Sequence, residues 1–222
     1  MAMSGKKGES APVKKSESSF QFLTMELEGT APLCVCRMGP TEIETMMRKM
    51  ERGDALNEAE KSKAAKMPRP PRDFEREYRE SCYYAPAPDA WPGINVNSLR
   101  KACIDACRLT TLKMTLAKML FFVVPDGFDA LTAWPIMRVH GTPEKFISSV
   151  RNAGRQRSVD LRARTLFRTW HLKPHIRYDA SKITFEEIVQ LVQRVGEQVG
   201  IGQGRPFSES SAGIGFGLFR VL

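Results

Sequence analysis

Apolar and polar positions alternate from the first ordered-looking stretch onward. In "FQFLTMELEG" Phe20, Phe22 and Thr24 share one side, Leu23, Met25 and Leu27 take the other, and Gly29 stops the run, which predicts a first strand. "APLCVCRM" either extends that strand or forms a second short one. In "GPTEIETMMRKMERG" the period changes to a helical one. Thr41 and Glu44 have capping-box spacing, Ile43, Met46, Met47 and Met50 share a face, and Gly53 ends the run. "CYYAPAPDAWPGINV" reads as a strand, a proline-rich turn and a second edge. In "NSLRKACIDACR" either Asn97 or Ser98 caps a helix whose stripe is Leu99, Cys103, Ile104 and Cys107. "KMLFFVVPDG" and "LTAWPIMRV" read as strands joined by a Pro-Asp-Gly turn. The clearest helix is "ITFEEIVQLVQRVGEQVG", with Thr184 and Glu187 as capping box and Ile188, Val189, Leu191, Val192 and Val195 as buried stripe. "GLFRVL" closes the chain as a strand. Strand, helix, strands, helix, strand predicts an α+β domain over 20–222, with helices on one face of a mainly antiparallel sheet.

Two segments fall outside this pattern. Residues 1–19 are polar and lysine-bearing without an apolar core, and predict a disordered basic tail, not a secretory signal. Residues 54–80 are highly charged, with Pro68, Pro70 and Pro71, and predict an insertion or mobile arm.

Charge sharpens the picture. The 222 residues carry 34 basic and 25 acidic side chains, net +9, which points to a polyanionic partner. Between Arg138 and Arg177 ten Lys or Arg residues face only Glu144 and Asp160, so most of the excess sits in under a fifth of the chain. "SVRNAGRQR" places Arg151, Arg155 and Arg157 in a basic loop. In "LRARTLFRTW" strand alternation puts Arg162, Arg164 and Arg168 on one face with Trp170. Arginines follow phosphates through forked hydrogen bonds, and an interleaved aromatic can stack on an unpaired base. The competing reading is a solvated strand face with Trp170 in the core. The longest apolar run, "MLFFVV", is far too short to span a bilayer, so no membrane is expected. Five cysteines, an odd count, suit a reducing, cytoplasmic compartment.

Catalytic patterns are missing. His140, His171 and His175 have no carboxylate or thiolate neighbours at metal-ligand spacing, the cysteines form no two-residue knuckle, and no phosphate-loop or hydrolase signature occurs. No catalytic residue, metal or cofactor is expected, and the cysteines read as small buried hydrophobes.

Near the C-terminus Gly200, Gly202 and Gly204 alternate, Arg205 follows, and Gly213, Gly215 and Gly217 alternate again. Glycine weakens a strand and so implies a bend or a close approach. The first strand ending in Gly29, the late helix, this glycine-rich loop with its arginine, and the closing "GFGLFRV" resemble the RAMP superfamily of CRISPR-associated RNA-binding proteins. The chain also looks like a group of uncharacterised phage and prophage proteins sharing "ELEGTAPL" and "VGIG" before Arg-Pro. The resemblance implies a ferredoxin-like, RRM-like fold over 20–222 and a glycine-rich loop lying against the sheet and touching an RNA backbone. The nuclease members use a histidine in an early helix, and "TEIETMMRKMERG" has none, so RNA processing does not carry over. The expectation is a non-enzymatic binder of single-stranded RNA or DNA, forming homo-oligomers along the strand. The alternatives are a phage-type assembly protein whose basic face meets an acidic partner and, behind it, a metal-independent endoribonuclease. Either expectation would place the protein in a bacterial or phage-infected cell.

Overall fold

The computed structural model describes residues 19–52, 71–151, 159–208 and 212–222. Within them the chain is a mixed α/β protein of short antiparallel sheets and five α-helices. The tail predicted over 1–19 lies almost entirely outside the described residues, as do 53–70 of the predicted arm.

The first apolar alternation becomes two strands, β1 (Phe20–Thr24) and β2 (Leu27–Gly29), separated by two residues. The late segment mirrors it, with β11 (His171–Leu172) and β12 (His175–Asp179) also two residues apart. β12 pairs antiparallel with β1 and β11 with β2. β6 (Phe121–Val124) adds to the far side of β12, and β13 (Phe219–Val221) to the far side of β2. The run is therefore β6, β11/β12, β1/β2, β13, antiparallel throughout. Its inward side chains, among them Leu23, Leu27, Phe121, Ile176 and Phe219, are buried against two helices, α3 (Asn97–Ala106) and α5 (Phe185–Arg194).

α5 follows its sequence closely. The Thr184 hydroxyl accepts from Glu187 N–H at 3.2 Å and the Glu187 carboxylate accepts from Thr184 N–H at 2.8 Å. Such a cap is worth about 1 kcal/mol. The stripe Ile188, Leu191, Val192 and Val195 is buried, and a π-helical turn, Val195–Val199, ends it. In α3 neither Asn97 nor Ser98 caps. Val96 holds that position, and the Asn95 side chain accepts from Asn97 N–H at 2.8 Å.

A second sheet stands on β10 (Val159–Phe167), which pairs along its whole length with β9 (Pro143–Arg151) and only at Thr165, Leu166 and Phe167 with β3 (Leu33–Val35). A third joins β4 (Tyr83–Tyr84), β5 (Pro92–Asn95), β8 (Pro135–Arg138) and β7 (Gly127–Phe128). β4 and β5 form the predicted pair across the proline-rich turn.

Four expectations change. Residues 114–120 form a helix, α4 (Met114–Leu120), and β6 begins only at Phe121. The Pro-Asp-Gly turn does not join β6 to β8 directly: it carries the chain into another sheet, with Asp126 accepting from Arg138 N–H at 2.8 Å. The expected mobile arm ends in a docked helix, α2 (Phe74–Glu80). After Pro71, Asp73 caps it by accepting from Glu75 and Arg76 N–H at 3.0 Å, and Tyr78 donates to Pro143 O at 3.1 Å. In α1 (Pro40–Arg52) Thr41 lies inside the helix and donates to Glu80 at 3.3 Å, while Glu44 pairs with Arg48, so no capping box forms. The methionine stripe of α1 faces water: Met46, Met47 and Met50 are exposed. No helix among the described residues is long and apolar enough to cross a membrane.

Candidate functional site

β10 runs six residues past the last one that β3 covers, and its free stretch carries Arg162 and Arg164. Alternation places both on one side of the strand. Between them the Ala163 N–H, lacking a neighbouring strand there, donates to Glu77 of α2 at 3.4 Å. Along the other edge of β3 lies the glycine-rich segment, joined by Gln203 N–H donating to Cys34 O at 2.9 Å. These pieces, with α3 and β5, enclose one open cleft of about 620 Å³. Its walls carry four cations, Lys101, Arg162, Arg164 and Arg205. With them stand two planar rings, Tyr83 and Trp134, and the polar side chains of Asn95, Asn97, Ser98 and Gln203.

Arg164 is the unusual member. It is 7% exposed, and among the described residues its Nε has no hydrogen-bond partner and no carboxylate pairs with it. A buried guanidinium left uncompensated is costly. The Gln203 side-chain oxygen, in the same walls, is likewise buried without a partner. Arg162 is half-exposed and among the described residues pairs only with Asp160 at 3.7 Å, a carboxylate already held by Arg72 at 2.5 Å. Trp134 is 52% exposed, and the residue before it, Ala133, has a φ of 56°. A non-glycine residue in the left-handed region stores strain, a feature that clusters at working sites. Burial pushes the thiol of neighbouring Cys34 up to about 12, against the opposing pull of Arg164, so this buried cysteine stays protonated and inert. A second cleft of about 390 Å³ shares Arg162 and Arg164 and runs along α2, but its rim bears Glu42, Asp73, Glu77 and Glu80. Of these two clefts, the larger is lined by cations without lining acids.

The expected site residues separate into three groups. Arg162 and Arg164 come together as foreseen. Arg155 and Arg157 lie outside the described residues, and so does the side chain of Arg151, whose backbone ends β9. The remaining three are corrected. Trp170 is 1% exposed, donates from its indole to Ala31 O at 2.8 Å and meets Phe219 edge to face, so it is core and no stacking platform. Gly29 is glycine because a Cβ there would come within 2.3 Å of that indole. Arg168 lies beyond the end of β10 and pairs with Glu144 at 2.8 Å on the surface. Arg205 borders the cleft, but its guanidinium is bound to the buried Asp105 at 2.9 Å, anchoring the loop to α3.

The six glycines have a geometric answer. All have positive φ, from 62° to 85°, the region only glycine enters freely. Two show what the bends achieve. A Cβ on Gly213 would stand 1.9 Å from Arg205 O, and one on Gly217 1.8 Å from Ile201 O. The two legs of the loop are thus pressed backbone to backbone, tied by Ile201 N–H to Gly217 O at 3.0 Å and Ile214 N–H to Gly204 O at 2.9 Å. The last strand and the helical turn after α5 meet closely at another glycine, Gly196, whose Cβ would meet Phe219 O at 2.2 Å.

Sequence reasoning missed Trp134, Tyr83, Lys101 and Gln203. Trp134 carried a faint signal, an indole beside proline in a polar turn. The others are ordinary residues until the fold gathers them. Comparison with protein-family models gives no match, and no curated protein matches the sequence.

Proposed function

We propose that the protein is a non-enzymatic single-stranded nucleic-acid-binding protein of ferredoxin-like, RAMP-type architecture, and that the cleft between β10, the glycine-rich loop and α3 holds the strand. The observation that carries this is Arg164: a buried guanidinium with an unpaired Nε beside Arg162 and Lys101 suits a phosphate oxygen better than solvent. Trp134 is the exposed indole next to these cations and takes the stacking role once assigned to Trp170. The cleft volume lies within the roughly 300–1,000 Å³ typical of small-ligand pockets, enough for one nucleotide of a longer strand. The fold reading is supported by the strand order. Numbered along the chain, β1/β2, β6, β11/β12 and β13 lie side by side as fourth, first, third, second, with α3 and α5 in the two crossovers. A ferredoxin-like βαββαβ sheet has the same order, which supports this reading. On this reading the second and third sheets are insertions, and they build one wall of the cleft.

The test is a titration of nuclease-treated, salt-washed protein into labelled single-stranded RNA, single-stranded DNA and duplex DNA at two salt concentrations, following Trp emission. Salt-sensitive binding to a single strand over duplex, with quenching lost in Trp134→Phe, is the expected result. Binding to none of them would sink the proposal.

The assembly reading keeps one specific observation in its favour, the exposed Met46, Met47 and Met50 on α1. Self-association without oligonucleotide binding, abolished by Met50→Lys, would put that reading first.

A further inference from the structure

We propose that Cys36 is a site of thiol–disulfide exchange with small disulfides that carry carboxylates, and that the adduct it forms lies in the larger cleft. The site stands on its own geometry, and only its effect on strand binding rests on the function proposed above. β3 ends at Val35, which pairs with Thr165. One step further the same antiparallel register falls on Cys36 and Arg164, and residues directly opposite one another share a side of the sheet. Both residues accordingly line both clefts. Arg164 is what separates this thiol from an ordinary surface cysteine. More than nine-tenths buried, with an Nε that no described group answers, it stands where an anion attached to the sulfur arrives. Arg162 and Lys101 stand in the walls of the larger cleft with it, and no carboxylate among the described residues lines that cleft.

Access selects the same sulfur. Cys36 is exposed, whereas Cys34, Cys82, Cys103 and Cys107 are buried. Burial also raises the thiol pKa of each of those four, which withholds the thiolate that attacks a disulfide. In the exchange the Cys36 thiol gives its proton to solvent and its sulfur attacks one sulfur of the small disulfide. The new S–S bond forms as the old one breaks, and the departing thiolate leaves with the electron pair and takes up a proton. The protein sulfur is oxidised and the departing half is reduced. With oxidised glutathione as the disulfide, the half that stays on Cys36 is a tripeptide with two carboxylates. The cleft of about 620 Å³ is of the size that holds such a ligand. Arg162 and Arg164 offer its carboxylates forked hydrogen bonds, and the Asn95 and Asn97 side chains offer partners for its amides. A neutral or cationic disulfide has the same sulfur chemistry and none of these charge partners.

The experiment treats the reduced full chain with oxidised glutathione, hydroxyethyl disulfide and cystamine, at low and high salt. Adducts are followed by intact mass and located by peptide mapping, and each rate is divided by that of the same disulfide with 2-mercaptoethanol. Expected is a single adduct, on Cys36, forming at least about tenfold faster with oxidised glutathione than with cystamine on this scale. The preference shrinks at high salt and in the double variant Arg162→Ala, Arg164→Gln. Cys36→Ser takes no adduct and melts as the parent does, since the residue is exposed. Equal scaled rates for the three disulfides, or a first adduct on another cysteine, would overturn the site. The glutathione adduct should also weaken single-strand binding at least about tenfold, with recovery on adding dithiothreitol. Unchanged affinity in a fully modified protein would put the adduct outside the cleft and overturn that half of the proposal. A parent that binds no strand removes the function proposed above, while the adduct's position and rates still decide the exchange site.

Discussion

Two arginines in this protein are buried to nearly the same degree, and their surroundings are opposite. Arg37 meets both oxygens of Asp129 at 3.1 Å and donates its Nε to Glu80 O at 2.8 Å. Asp129 is in turn saturated by Tyr84 N–H, Thr132 N–H and the Thr132 hydroxyl. Burial works against its ionisation, yet the hydrogen bonds from Thr132 and Tyr84 and the Arg37 charge prevail and hold the carboxyl below its ordinary range. Arg164, which lines the same smaller cleft, has no acid and an unpaired Nε among the described residues. The first arrangement is complete in itself and locks β4 to the turn after β7. The second leaves a guanidinium donor unanswered among the described residues. Equal burial therefore says little, and partner count separates a structural arginine from a candidate binding one.

The largest expected effect tests that contrast in stability. Asp129→Ala strands the Arg37 charge and should cost about 3–5 kcal/mol in urea unfolding. Arg164→Met should stay within about 1 kcal/mol of the parent or stabilise it, because it removes an unsatisfied donor. Equal losses in the two variants would erase the distinction. Next, Arg205→Ala should cost about 2 kcal/mol by taking from buried Asp105 the nearer of its two cations and leaving it Lys101 at 3.6 Å, which would place Arg205 with Arg37 and not with Arg164. Glycine substitutions come third: Gly215→Ala, with open space around its Cβ, should lose about 1 kcal/mol from φ alone. Gly217→Ala should lose clearly more, since its Cβ meets a carbonyl.

The pH dependence follows from Asp129. Its folded pKa lies below the unfolded one, so its contribution is whole above the ordinary aspartate value of about 3.9 and disappears as pH falls through the lower folded value. Urea midpoints should drop below about pH 4 in the parent. They should drop less steeply in Asp129→Asn, and Arg164→Met should leave that limb as in the parent. The smallest change is in binding: the double variant Arg162→Ala, Arg164→Gln should flatten the salt slope for a single strand by about 1.4, two phosphate contacts at about 0.7 each. An unchanged slope would take both residues out of the interface.

What the sequence carried by itself was local. The alternation in "FQFLT", the capping box Thr184–Glu187 with its buried stripe, and the closing strand all form as read, because period and capping act over a turn or a strand length. The six glycines were legible as bends for the same reason, since positive φ is a property of single residues. What failed was whatever depends on a distant partner. Trp170 is core because Gly29 and Ala31 receive its indole. Residues 74–80 are helix because Asp73 caps them and β10 offers a surface. The α1 methionines stay outside because none of the described elements covers them. The binding candidate belongs to this second class. Arg164 looks like any arginine of a basic run until β3 stops short, α2 takes the neighbouring N–H, and no carboxylate arrives. Charge along a chain is additive, but whether a charge is answered is settled only by which groups the tertiary structure brings within hydrogen-bond reach.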